Sequence, residues 1–131
     1  MSERTRSRQV IVLSALIFLE AALVVGATAF LLFELLTVTP DSLPSALALT
    51  VLTALAAVWV IAIAVGVLRG RAWSRGAAIV WQVLQLAVAV GAFQGAFARP
   101  EVGWLLLVPA VAALVLLFSR PVIAATRREE P

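Results

Sequence analysis

From Val10 to Leu36 the chain runs through a hydrocarbon-length stretch whose only charged residues are Glu20 and Glu34. A run of that length spans a bilayer as a tilted helix. Three more apolar runs follow, over Ala46–Leu68, Ala77–Ala98 and Val102–Ser119. Each approaches or exceeds the roughly 17 residues that a crossing needs. None alternates polar with apolar residues, as the spans of about 9–11 residues in a β-barrel do. Lipid offers the backbone no hydrogen-bond partners, so these spans must satisfy their own peptide groups as helices. The expected fold is therefore all-α: a polytopic, four-helix transmembrane bundle with short loops.

Composition agrees. The chain is 63% hydrophobic and 13% charged, against about 25% charged in a soluble domain. Such a chain cannot cover a water-exposed surface. One transmembrane domain over residues 10–120 is expected, between a basic tail at 1–9 and a charged tail at 121–131.

The punctuation sets the connectivity. Pro40 and Pro44 break the chain between Thr37 and Ser45, where Ser42 or Ser45 can cap the second helix. The segment from Arg69 to Gly76 reads as a compact basic loop with Gly70 and Gly76 as breakers. Arg99, Pro100 and Glu101 read as a tight turn before the fourth helix, which Pro109 is expected to kink. Connections this short make sequence neighbours antiparallel neighbours in space.

The ten basic residues are all arginine. Arg4, Arg6 and Arg8 precede the first run. Arg69, Arg71 and Arg75 lie between the second and third, and Arg120, Arg127 and Arg128 follow the fourth. Only Arg99 lies in the opposite pair of loops. Retention of arginine on the cytoplasmic side predicts both termini inside a bacterial inner membrane. The first run is too long for the apolar part of a signal peptide and reads as a retained helix.

Several function classes lose their chemistry here. With neither cysteine nor histidine, the chain has no thiol nucleophile and none of the usual haem or zinc ligands. It carries no phosphate-binding glycine motif, and its arginine clusters lack the interleaved aromatics of a nucleic-acid surface. No enzyme activity, cofactor, metal site or nucleic-acid partner is expected. Glu34, Asp41 and Glu101 make the outer side mildly acidic, and Gln94 lies on the outer half of the third helix; ordinary solvation is the leading reading of these groups, with a divalent-cation site as the alternative.

The polar residues inside the spans are more informative. Glu20 lies about ten residues into the first run, hence about 15 Å deep. At that depth a carboxyl must face the bundle interior, meet a partner or be protonated. Gln82 and Gln85 stand at matching depth on one side of the third helix. The three together form a candidate intramembrane polar cluster, read either as a structural hydrogen-bonded contact or as a proton or cation site.

Other features suggest contacts. Ala87, Gly91 and Gly95 form a small-residue face suited to close helix packing, with an internal helix as the default partner and another chain as the alternative. Ala62 and Gly66 offer a similar face on the second helix. Trp73, Trp81 and Trp104 suit the interfaces, and Trp59 is expected to be buried against a neighbour. Arg69, Arg71 and Arg75 suit retention on the cytoplasmic side, an anionic lipid headgroup or an acidic partner.

The segment from Arg69 to Leu86, RGRAWSRGAAIVWQVLQL, together with the alanine, valine and arginine bias, resembles small uncharacterised four-span inner-membrane proteins of high-GC actinobacteria. The resemblance implies a location and no activity. The leading expectation is a structural or accessory subunit of an inner-membrane assembly. It would contact membrane lipids and either another integral membrane protein or further copies of itself. The alternative is a homo-oligomeric ion channel or transporter using Glu20.

Overall fold

The computed structural model describes residues 8–94 and 98–127. Among these it contains five helices and no strand: α1 (Arg8–Thr37), α2 (Leu43–Leu68), α3 (Ala72–Ala92), α4 (Pro100–Leu117) and α5 (Arg120–Ala125). The first four are long and apolar enough to cross a membrane. The chain is a multi-pass membrane protein with an all-α fold.

Local chemistry explains each boundary. Pro40 follows the end of α1, where a helix cannot readily continue. Ser42 caps α2: its side chain accepts from the Ser45 N–H, and Pro44 sits in the first turn, where a missing N–H costs nothing. At the other end of α2, Gly70 adopts φ +70°. Its N–H bonds the Val67 carbonyl, and the Arg71 N–H bonds the Gly66 carbonyl. This paired closure stops a helix within three residues.

That closure corrects the expected loop. Only Arg69–Arg71 connects α2 to α3, and the remainder of the basic segment is helical. Gly76 is therefore a helical residue, not a breaker. The third helix begins five positions before the expected Ala77 and stops at Ala92, before the expected Ala98. Its exit is held by the Arg99 N–H, which bonds the Ala92 carbonyl at 2.7 Å. Pro100 and Glu101 belong to the first turn of α4 and not to a turn before it; proline's fixed φ suits that position. After α4 the chain breaks at Ser119 and forms α5, where a tail was expected.

The helices pair as two hairpins. The α1–α2 and α3–α4 contacts are the most extensive, with thinner contacts between α2 and α3 and between α1 and α4. One end of the bundle is densely packed. Its core joins Val10, Leu13 and Ile17 of α1 to Val60, Ile63, Ala64 and Val67 of α2, Ala78 of α3, Ala113 and Leu117 of α4, and Val122 of α5. This is the end at which the exposed arginines Arg8, Arg69, Arg71, Arg120 and Arg127 lie.

Small residues bring the backbones together there. A Cβ on Gly66 would stand 2.8 Å from the Ser74 Cβ, and one on Gly70 would stand 2.7 Å from the Ala125 carbonyl oxygen. At the opposite end, the Phe93 ring occupies the space a Cβ on Gly103 would need. Phe93 also meets Trp104 edge to face at 5.4 Å, which ties the exit of α3 to the start of α4.

Candidate functional site

The site is built across the two hairpins. α1 contributes Glu20, α3 contributes Trp81, Gln82 and Gln85, and α4 contributes the Leu106 carbonyl. Glu20 is 1% exposed. Its Oε1 accepts from Gln82 Nε2 at 2.7 Å, and its Oε2 accepts from Gln85 Nε2 at 3.2 Å. The second N–H of Gln85 donates to the Leu106 carbonyl oxygen at 2.8 Å. Trp81 Nε1 donates to Gln85 Oε1 at 3.1 Å, one helical turn away on the same face. The expected grouping of Glu20, Gln82 and Gln85 is thus present in the structure.

This geometry follows from helical spacing. Gln82 and Gln85 are three residues apart, so both amides reach the same neighbouring helix. Trp81 and Gln85 are four apart, which lets the indole orient the amide carbonyl. Each donor fixes the next group in the chain of bonds. Gln82 Oε1 accepts no bond among the described residues, so that amide is held from its donor side alone.

Two contributors escaped the sequence reading. The Trp81–Gln85 bond was legible in principle from the i,i+4 spacing. The Leu106 carbonyl had only an indirect signal. Pro109 has no N–H to offer the Leu105 carbonyl, so the ladder of α4 is interrupted one residue before Leu106.

On its far side from the dense core, the cluster forms one wall of a cavity of about 560 Å³. The cavity separates the two hairpins. Leu23, Val24 and Ala27 line it from α1, Thr53 and Ala56 from α2, and Val88 and Leu105 from α3 and α4, with further aliphatic residues between them. Glu20, Trp81 and Gln85 bring polar groups to an otherwise apolar lining, apart from Thr53.

The other candidates lie elsewhere. Ala87 and Gly91 are exposed, and nothing stands within 4 Å of a Cβ built on Gly91. The internal packing expected of this face is corrected for those two residues: α3 turns its glutamine side inward, and Ala87 and Gly91 point away. Gly95 lies outside the described residues. Close internal approach occurs at Gly66 instead, while Ala62 is exposed. Trp59, expected to be buried, is 41% exposed.

The arginine group also divides. Arg69 and Arg71 are exposed, but Arg75 is half-buried. Its Nε donates to the Leu117 carbonyl at 2.9 Å, and its guanidinium lies 5.0 Å from the centroid of the Phe118 ring. A cation at a helix C-terminus meets the negative end of the helix dipole. Arg75 thus holds the end of α4, and the group offered to a lipid or partner narrows to Arg69 and Arg71. Arg4, Arg6 and Arg128 lie outside the described residues.

The chain matches no protein-family model, no curated protein and no solved structure.

Proposed function

We propose that this chain is a small, non-catalytic accessory subunit of a bacterial inner-membrane assembly, with both termini cytoplasmic. The observation that carries this reading is that Glu20 is held by the chain's own amides, beside a close-packed core. The buried polar groups join α1 to α3 and α4, and the dense core fills the space toward the arginine end. A single copy so packed is suited to a fixed shape that presents its outer faces. The outward Ala87 and Gly91 suit close contact with another membrane helix. Arg69 and Arg71 suit an anionic headgroup or an acidic edge of the same partner.

Native mass spectrometry of the complex, extracted gently from its own host, tests the proposal. A foreign subunit at fixed stoichiometry is the expected result. A photo-crosslinker at Gly91 should then capture that subunit. The second reading, a homo-oligomeric channel or transporter, draws support from the cavity beside Glu20. It predicts copies of this chain alone in the complex, and ion flux that is lost in Glu20→Gln.

A further inference from the structure

We propose that the cavity between the hairpins is a binding site for a lipophilic cation, a ligand with an apolar body and a positively charged centre. The inference is independent of whether the chain has a protein partner. Its volume of about 560 Å³ lies within the roughly 300–1,000 Å³ of small-molecule sites, which are mostly apolar with a few placed polar groups.

The lining itself points to the sign of the ligand, because its one ionisable side chain, Glu20, is an acid. Thr53 Oγ1 has one hydrogen, and it goes to the Leu49 carbonyl. Trp81 Nε1 has one, and it goes to Gln85. Gln85 Nε2 has two, and they go to Glu20 and to the Leu106 carbonyl. With Glu20 as the carboxylate, the form that a bound cation requires, every side-chain donor lining the cavity is spent. The Glu20 carboxylate has room for about four hydrogen bonds, and Gln82 and Gln85 supply one each. The unspent polar capacity of the wall is thus on the acceptor, negative side. No basic side chain lines the cavity, so an anionic headgroup would find no countercharge. A cation would find a carboxylate in a low-dielectric wall, with the Trp81 indole beside it; indole is the aromatic side chain that attracts cations best. The aliphatic walls would take the apolar body.

The test compares two ions of the same shape and opposite charge, tetraphenylphosphonium and tetraphenylborate. Each is titrated against the full chain in nanodiscs by equilibrium dialysis, with empty nanodiscs subtracted. Saturable binding of the cation, one per chain, is expected, with only unsaturable partitioning of the anion. Glu20→Gln should weaken the cation by about tenfold or more. Ala56→Phe fills the cavity from α2, a helix that contributes no group to the carboxyl–amide cluster, so it should abolish binding even if the first variant fails to fold. Three results would each overturn the proposal: no saturable binding above empty nanodiscs, equal binding of both ions, or cation binding that survives Ala56→Phe. Equal binding would mark the cavity as a seat for lipid acyl chains.

Discussion

At the scale of the residue, Glu20 shows how little a buried polar group has to contribute to be decisive for shape. Hydrogen bonds between transmembrane helices average about 0.6 kcal/mol and reach about 1.7 kcal/mol. The Glu20–Gln82 bond, at 2.7 Å and carrying an acid as acceptor, belongs toward the upper part of that range. A double-mutant cycle of Glu20→Leu and Gln82→Leu, read by reversible unfolding in SDS-containing mixed micelles, should return a coupling of about 1 kcal/mol. Gln82→Leu alone should destabilise the bundle more than the double variant, because it removes a donor from a carboxyl that stays buried. Near-additive effects would mean that the contact carries no energy of its own. The grouping was legible beforehand because charge is rare in the spans and depth can be counted along a helix. Its surroundings were not: helical counting gives the height of Leu106 but not that its carbonyl faces Gln85.

At the scale of the element, the glycines separate turns from helix interiors. Gly70 is left-handed and pressed against Ala125. Gly70→Ala should cost about 1–2 kcal/mol from backbone conformation alone, with more from the carbonyl contact. Gly76 has open space around it, so Gly76→Ala should leave stability unchanged or raise it by up to about 1 kcal/mol. Thermal unfolding in one detergent compares the two directly, and equal losses would contradict the assignment of Gly76 to α3. The sequence treated both as breakers because composition alone does not reveal which glycine completes the paired closure after α2. The start of α4 was misread for a related reason. Proline marks an end and a beginning equally, and Pro100 is a beginning.

At the scale of the whole molecule, the four spans and their antiparallel order were legible from run length and short connections. The uneven packing of the two ends was not, since it depends on which faces meet. The proposed orientation has a direct check, because the chain has no cysteine and any introduced thiol is unique. Ser42→Cys should react with a membrane-impermeant maleimide on intact cells, and Ala124→Cys only after permeabilisation. The reverse pattern would invert the topology.

The division of the cluster between the first hairpin and the second reaches back to synthesis. When only α1 and α2 have left the ribosome, Glu20 has none of its amide partners. α3, the least apolar of the four spans, later arrives with two amides of its own to satisfy. Each half is thus a poor guest in lipid until the other comes. A nascent product that stops after Arg71 should be cleared rapidly in a pulse–chase experiment, and co-expressing residues 72–131 should lengthen its lifetime. Glu20→Leu should make the fragment durable by itself. The acid that joins the finished halves would then also mark an unfinished chain for removal.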